Sequence, residues 1–517
     1  MILFYKLRLT PNKAFNESYI DSLLRNKFQK NKSTLFSYVL IKRSVDARKR
    51  KPVYVLNFKL FIAQEPEVTE FKVSYKKVDE NKTAVIIGAG PAGLFAALKL
   101  IEAGIKPIII ERGKDVKSRR KDLAEISKNH IVNPDSNYCF GEGGAGTYSD
   151  GKLFTRSKKK GNVLEMLKLL VHFGAPESIL VDAHPHIGTN KLPQLITNIR
   201  KTILNYGGEI LFNERVVDFT IDGNRISSVK TQNGKEFSTD DIILATGHSA
   251  SDIYRLLDNK GIALEQKSFA IGVRIEHPQQ LIDQIQYNCE VRDENLPPAT
   301  FSIINQAVGR SVYSFCMCPG GVIAPCATAP GEIVTNGWSP SKRNNHFANS
   351  GIVVNVTEED TKPFEKHGAL AGLYFRESIE KKAWIAGGKS QTAPAQRLVD
   401  FLNNKKSTDL PETSYFPGIK SAEMTMIFPR MIITALKKSF NKWSKSIPGF
   451  VNNDAIIVAV ESRTSSPVRI PRDKYSLAHI EINNLYPSGE GAGYAGGIIS
   501  AAIDGERCAE KIISKRE

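Results

Sequence analysis

The sequence has little cysteine, no long apolar run and no pattern typical of a secretory leader. Six cysteines among 517 residues do not make a disulfide framework, so we expect a reducing compartment, the cytoplasm. No stretch of about 18 apolar residues is free of charged side chains, and we therefore expect no membrane span. The first residues show no basic segment before an apolar run and no small-residue cleavage site, so we expect no signal peptide.

The composition is that of an ordinary globular protein. Hydrophobic residues make up 41% of the chain and glycine occupies 38 positions, which excludes a disordered, collagen-like or disulfide-stapled chain. At roughly 100–200 residues per domain, the length predicts two to four domains. A chain of this length buries a full core without disulfide bonds.

Positive charge is in excess and is concentrated near the start of the chain. The net charge is +17, and the first 80 residues contribute an excess of nine. Such an excess makes nucleic acid, an acidic membrane surface and anionic substrates candidate partners. Residues 1–77 have the pattern of a small α+β domain, and the polar stretch at residues 76–82 is interpreted as a linker.

A glycine-rich loop between a buried strand and a helix predicts a dinucleotide site. Gly88, Gly90 and Gly93 follow the β-branched run at residues 83–87, and Glu111 comes 18 positions after the last glycine. Gly88 permits the tight turn, Gly90 the approach of a pyrophosphate, and Gly93 close packing of helix on strand. Glu111 is expected to accept hydrogen bonds from both ribose hydroxyls. The alternative is a glycine-rich turn without a ligand.

Two later segments favour FAD over NAD. Residues 239–247 are a strand that ends in Ala-Thr-Gly, and residues 485–497 are a glycine-rich loop before a final helix. Since no second acid-bearing strand follows, we interpret the loop as a flavin motif whose helix N-terminus stabilises negative charge on the pyrimidine ring. Only one dinucleotide fold is visible, so either NAD(P)H binds without a dedicated domain or electrons come from the substrate.

Four segments together resemble one family. Residues 138–152, 184–191, 244–250 and 461–472 are similar to segments of the predicted bacterial FAD-dependent dehydrogenases, within the glutathione-reductase-type flavoprotein superfamily. The resemblance covers essentially the whole chain, and the family has no settled substrate.

The resemblance implies a fold of α/β and α+β class. A Rossmann-like FAD domain is expected to be interrupted by a mixed substrate domain and preceded by the small α+β domain. The expected divisions are residues 1–77 for the basic N-terminal domain, 78–265 and 451–517 for the FAD-binding domain, and 266–450 for the substrate domain.

The resemblance also implies which residues hold FAD. Arg112 would join the glycine-rich loop at the ADP half, Val217 would contact adenine through its backbone, and residues 141–151 would run along the pyrophosphate and isoalloxazine. The residues assigned to FAD are Gly88, Ala89, Gly90, Pro91, Ala92, Gly93, Glu111, Arg112, Gly143, Gly144, Ala145, Val217, Thr246, Gly247, Gly489, Glu490, Gly491, Ala492 and Gly493.

Catalytic candidates are few, which suits an enzyme whose chemistry the flavin performs. His186, two residues after His184, is a candidate for acid/base work, and capping of the following helix is the alternative. Cys318, close to Cys316, could form a redox pair or serve as a buried structural thiol. Arg463 could bind an anionic substrate or a flavin phosphate, or it could form an internal ion pair. No metal site is predicted.

The sequence thus predicts an FAD-dependent oxidoreductase that transfers hydride through flavin N5 to or from a small molecule, with an anionic compound as one option. The alternative is an RNA-binding flavoprotein that modifies RNA through residues 1–77. That segment lacks the aromatic signature and the GXXG loop of common RNA-binding modules. A flavin-containing scaffold without activity is a third hypothesis.

Overall fold

The structure is a computed structural model that describes residues 1–29, 31, 34–49, 51–66, 71–154 and 161–517. Its fold is mixed α/β. The strands are β1 (Ile2–Leu9), β2 (Phe36–Asp46), β3 (Val53–Ile62), β4 (Asp79–Ile87), β5 (Ile105–Ile110), β6 (Glu209–Leu211), β7 (Val216–Asp222), β8 (Arg225–Thr231), β9 (Glu236–Ser238), β10 (Ile242–Leu244), β11 (Glu265–Gln266), β12 (Phe269–Pro278), β13 (Ile304–Ala307), β14 (Arg310–Cys318), β15 (Val322–Pro325), β16 (Thr335–Trp338), β17 (Phe347–Val356), β18 (Ala393–Arg397), β19 (Ile419–Ser421), β20 (Ile456–Glu461), β21 (Val468–Arg469) and β22 (Leu485–Pro487).

The α-helices are α1 (Glu17–Phe28), α2 (Pro91–Glu102), α3 (Val116–Asn129), α4 (Val163–His172), α5 (Leu192–Asn205), α6 (Ser251–Asn259), α7 (Gln279–Tyr287), α8 (Ala371–Ala386), α9 (Leu398–Leu402), α10 (Arg430–Ser446) and α11 (Ile498–Arg516). In the described ranges, no helix is both long and apolar enough to cross a membrane.

A five-stranded parallel sheet with strand order β22-β10-β4-β5-β6 forms the first layer. Its central strands are apolar runs because both faces are covered. Ala84 and Ile86 face α2, α5 and α11, whereas Val85 and Ile87 face β7, β8 and α6. The carboxyl ends of β4, β5, β10 and β22 therefore meet at one edge, the place where open α/β sheets bind ligands.

A seven-stranded sheet with strand order β13-β14-β17-β12-β20-β18-β19 forms the second unit. Its pairings are antiparallel, apart from β18 with β19. β20 lies within residues 451–517, which were expected to return to the FAD domain, yet it is an inner strand of this sheet. The parallel sheet resumes only with β22.

The N-terminal residues form an antiparallel sheet of order β1-β3-β2 with α1 packed on it. Its buried side chains share one apolar cluster with the seven-stranded sheet. The Tyr54 hydroxyl donates a hydrogen bond to the Asn295 carbonyl at 2.7 Å, and the Arg43 guanidinium lies 2.8 Å from the Asp182 carboxylate. The N-terminal unit is thus docked firmly onto the rest of the chain.

The segment interpreted as a linker is part of the parallel-sheet unit instead. The backbone N–H groups of Lys76 and Val78 donate to the carbonyls of Ile101 and Tyr206, at 3.0 and 3.1 Å. β4 already begins at Asp79. The polar composition of residues 76–82 reflects an exposed strand end, since residues 79–82 are exposed.

The two helices that begin at the ligand-binding edge, α2 and α11, cross in close contact. A Cβ atom on Gly505 would lie 2.0 Å from the Ala92 carbonyl oxygen, so only glycine permits this approach.

We expect Gly505→Ala to lower the free energy of unfolding by about 1–3 kcal/mol, because the added methyl group forces the helices apart. Chemical denaturation measures this difference. Gly496→Ala is the matched control, because a Cβ there meets no described atom within 4 Å. Equal stability of the two variants would contradict the crossing.

Candidate active site

A deep cleft lies between the carboxyl edge of the parallel sheet and the seven-stranded sheet. Most of the residues assigned to the cofactor line it: Gly88, Gly90, Pro91, Ala92, Glu111, Arg112, Gly144, Ala145, Thr246, Gly247, Gly489 and Glu490. The others are not among the lining residues: Ala89, Gly93, Gly143, Val217, Gly491, Ala492 and Gly493. Val217 points outward from β7, and its neighbour Val216 lines the cleft instead.

The three glycine-rich segments predicted from the sequence touch one another. Gly88 has a left-handed backbone, with φ of +104°, and a Cβ there would lie 2.6 Å from the Ala245 carbonyl oxygen. A Cβ on Gly491 would lie 2.6 Å from the Gly247 carbonyl oxygen. These glycines are therefore required by the contact between loops.

The Glu111 carboxylate is buried where these loops meet. One oxygen accepts from the backbone N–H of Ala89 at 2.8 Å. The other accepts from Gly113 and Gly141, at 2.8 and 2.9 Å. A carboxylate offers about four acceptor positions. The three loop hydrogen bonds therefore leave acceptor capacity for a ligand hydroxyl, and the predicted ribose contact stays a prediction.

Arg112 forms the wall of the cleft beyond Glu111. Its guanidinium forms ion pairs with Asp135 and Asp252, both at 2.9 Å, and lies 4.1 Å from the centre of the Phe140 ring. These contacts fix the guanidinium as a rigid plane at this end of the cleft.

Two helix N-termini are directed at the cleft. Gly90, Pro91 and Ala92 at the start of α2 line it, as do Gly497 and Ile498 at the start of α11. Neither helix has an acidic residue in its first turn. The free N–H groups and the positive dipole ends suit phosphate and an electron-rich ring.

The space around Gly90 shows whether the cleft has room for a dinucleotide. A Cβ on Gly90 would meet only the Gly144 Cα, at 4.0 Å, among the described atoms. Packing within the protein therefore does not require glycine here, whereas the approach of a pyrophosphate does. The residues present fit FAD.

Arg119 of α3 holds the glycine-rich loop that follows this helix. Its guanidinium is fully buried and donates to the carbonyls of Asn137, Glu142 and Gly144, at 2.7, 3.0 and 2.9 Å. The sequence prediction did not include this residue. The helical periodicity contains a signal, because Arg119 lies on the same face of α3 as the buried Ile126. That position predicts a buried side chain.

His186 lies behind the cleft wall, with its Nε2 atom 3.8 Å from an oxygen of Asp150. Burial, followed by the nearby Arg343 charge, lowers the pKa of His186 to about 4. The imidazole is thus neutral at neutral pH. Acid/base catalysis would require a group that titrates near neutral pH, and His186 does not. The cap of α5 is Lys191, so neither His186 nor His184 has the capping position.

Cys318 is buried and does not line the cleft, whereas Cys316 does. The Cys318 thiol donates to the Cys316 carbonyl at 3.2 Å, and burial raises the pKa of Cys318. Cys316 sits at a register shift between β14 and β17 and has a left-handed φ of +46°. This irregularity leaves Cys316 exposed at the cleft surface. Desolvation within the cleft raises the pKa of its thiol to about 11.

Arg463 touches the cleft, but its guanidinium is occupied by the protein itself. It lies 2.7 Å from Glu332 and 3.2 Å from Glu380, and it donates to the Thr328 hydroxyl at 2.7 Å. The internal ion pair, one of the two alternatives for this residue, is therefore formed.

Family models match three parts of the chain. A model described as an FAD binding domain matches residues 81–134. A model described as the C-terminal domain of FAD-dependent proteins matches residues 268–464. A domain of unknown function matches residues 1–61.

A relative and two solved structures are similar to the chain. An uncharacterized protein of Clostridium beijerinckii is 38% identical over 516 residues, with 96% of each chain covered. The tetracycline destructase Tet(51) is 11% identical, with 84% of this chain and 82% of that chain covered and a TM-score of 0.34. The L-proline dehydrogenase from P. horikoshii is 14% identical, with 84% and 94% covered and a TM-score of 0.34.

The cleft and the FAD-specific family models define an FAD-dependent enzyme, as the sequence predicted. The chain belongs to the same family as the Clostridium beijerinckii protein. The models that match this chain are those of FAD-dependent oxidoreductases.

We expect Gly90→Val to fold but to lose FAD, because its side chain fills the space that a pyrophosphate needs. Gly93→Ala is the contrasting variant, since its Cβ would lie 2.0 Å from the Gly88 carbonyl oxygen and would damage the fold as well. Flavin content and thermal unfolding of both proteins measure the difference. Full flavin occupancy in Gly90→Val would refute the assignment of this loop.

We expect alkylation of Cys316 to be slow at neutral pH and to accelerate up to about pH 11, because only the thiolate reacts. Mass spectrometry of the modified peptide measures the rate at each pH, and Cys316→Ser identifies the signal. A rate that levels off below the ordinary thiol pKa of 9.0 would contradict the raised pKa of this thiol.

Proposed function

We propose that the chain is a dehydrogenase or reductase that acts on a small molecule bound at the end of the cleft facing the seven-stranded sheet. When bound, FAD supplies hydride transfer at N5. The observation that carries the proposal is the asymmetry of the cleft. Two helix N-termini lie at the edge of the parallel sheet, whereas Asp150 and Lys152 line the cleft together with Cys316 and Asn336.

The proposed roles of the lining residues follow from their positions. The start of α2 holds the pyrophosphate, Glu111 binds the ribose, and Arg112 with residues 214–216 encloses the adenine. The start of α11 faces the pyrimidine ring. Residues 144–146 lie between these two helix starts, since the Gly146 Cβ position is 3.4 Å from Pro91 and 3.5 Å from Ile498. This loop would therefore run beside the cofactor.

We propose that the Rossmann-like FAD domain comprises the parallel sheet with its helices, and that the seven-stranded sheet belongs to the interrupting substrate domain. The match of the C-terminal family model to residues 268–464 supports a boundary after β20. That boundary lies later than the division at residue 450 expected from the sequence.

Two points stay predictions. The first is that NAD(P)H either donates electrons transiently or is not used. The second is that residues 1–77 form a separate N-terminal domain, for which we propose no binding partner. The comparisons give no support to the RNA-binding alternative.

We expect the purified protein to show the visible absorbance of bound flavin and to release FAD on denaturation. Anaerobic titration with NADH, NADPH and a panel of organic donors should bleach that absorbance with at least one of them. Reduction with dithionite serves as the control for complete bleaching. A protein that retains FAD but is bleached by dithionite alone across the panel would count against a dehydrogenase and favour the scaffold hypothesis.

A further inference from the structure

A cluster of charged side chains borders the end of the cleft that faces the seven-stranded sheet. Asp150 and Lys152 line the cleft, and Arg343 and His186 lie behind them. The Asp150 carboxylate is 3.4 Å from the Lys152 ammonium, 3.5 Å from the Arg343 guanidinium and 3.8 Å from the His186 ring.

The Asp150 carboxylate is buried at ion-pair distance from Lys152 and Arg343, but it accepts no hydrogen bond from the described residues. It is 5% exposed, and neither of its oxygens has a hydrogen-bond partner among the described residues. The hydroxyl of Ser339 is engaged elsewhere, since it donates to the Pro319 carbonyl at 2.8 Å. Buried polar atoms are almost always paired, so two unpaired oxygens at a cleft wall indicate a missing donor.

The carboxylate is nevertheless ionised. Burial alone would raise the pKa of Asp150, but Lys152, and then Arg343, outweigh it and lower the pKa. Burial alone would lower the pKa of Lys152, but Cys318 and Asp150 outweigh it and raise the pKa. With His186 neutral, the cluster has two positive charges and one negative charge at neutral pH.

The positions of these side chains are fixed by strained and buried neighbours. Arg343 and Cys316 both have a left-handed backbone, with φ of +49° and +46°. The fully buried Arg274 donates to the Cys316 carbonyl at 3.3 Å and is itself paired with Glu461 at 2.7 Å. Strained residues that persist in a rigid setting are typical of binding and catalytic sites.

An ionised carboxylate only accepts hydrogen bonds, and an ammonium only donates them. A ligand of this cluster must therefore offer a donor to Asp150 and an acceptor to Lys152. Because the two side chains are 3.4 Å apart, the two ligand groups must be adjacent. The excess positive charge favours an anionic acceptor.

We propose that Asp150 and Lys152 bind a small carboxylate that carries a hydroxyl or amino group on the neighbouring carbon. Lys152 pairs with the ligand carboxylate, and Asp150 accepts from its O–H or N–H group. This inference rests on the proposed function, because it names the substrate class of the same cleft.

The test is equilibrium binding to the FAD-loaded protein, measured by the change in the visible flavin spectrum. Lactate, alanine and propionate form one matched set, and phenyllactate, phenylalanine and phenylpropionate form a larger one. In at least one set we expect the hydroxy or amino acid to bind about tenfold or more tightly than the acid without a donor, because a hydrogen bond to a charged group is lost in the latter. The hydroxy and amino members distinguish the two donors.

Two variants assign the effect to the cluster. Asp150→Asn should remove the preference for the donor-bearing acid, and Lys152→Met should weaken binding of every acid in the set. Lys152→Arg should preserve the binding. Asp240→Asn is the control, because its carboxylate is exposed away from the cleft.

The outcomes separate this inference from the proposed function. No binding in either set, or equal preference in wild type and Asp150→Asn, would overturn the inference and would leave water as the partner of Asp150. Bleaching of the flavin by an unrelated donor would leave the proposed function intact in that case. Flavin content and thermal unfolding of each variant show whether it has folded.

Discussion

The Glu111 carboxylate accepts backbone hydrogen bonds from three loops that are far apart in the chain. Ala89 belongs to the loop after β4, Gly113 to the loop after β5, and Gly141 to the loop after α3. A hydrogen bond to a charged group contributes about 1.5–3 kcal/mol, so three of them to one buried carboxylate strongly restrain the geometry. The cofactor end of the cleft depends on this restraint, because each loop supplies part of its wall.

The Arg119 guanidinium acts on the same loop from the opposite side. It binds three carbonyl groups between residues 137 and 144, whereas Glu111 binds N–H groups. A charged acceptor and a charged donor thus organise a segment too rich in glycine to hold a shape by itself. A Cβ on Gly113 would lie 2.6 Å from Gly141, so the approach of these loops also requires glycine. Contacts within the protein therefore hold the walls of the cleft.

Local patterns predicted the parts of the site that depend on local geometry. The loop from Gly88 to Gly93 and the Ala-Thr-Gly end of β10 both follow buried strands, and their glycines have clear steric roles. β20 was assigned to the FAD domain because a short apolar run shows that a strand is buried but not which sheet it joins. The β14 irregularity at Cys316 and the three acceptors of Arg119 depend on long-range pairing. The spacing of Arg119 along α3 indicates that it is buried but not which carbonyls it binds.

The positive side chains near the cleft differ in how completely the protein satisfies them. Arg463 was a candidate for anion binding, but Glu332 and Glu380 neutralise it and Thr328 takes a further N–H group. Among the described residues, Lys152 contacts Asp150 at 3.4 Å and the Cys318 sulfur at 3.6 Å, and neither oxygen of Asp150 accepts a hydrogen bond. A cation whose donors are used by buried carboxylates stabilises the fold and has little left for a ligand. A cation and an anion that face each other without a full set of hydrogen bonds can still bind a ligand. The number of hydrogen bonds left unmade, rather than charge alone, therefore distinguishes Arg463 from the lysine proposed to bind the ligand.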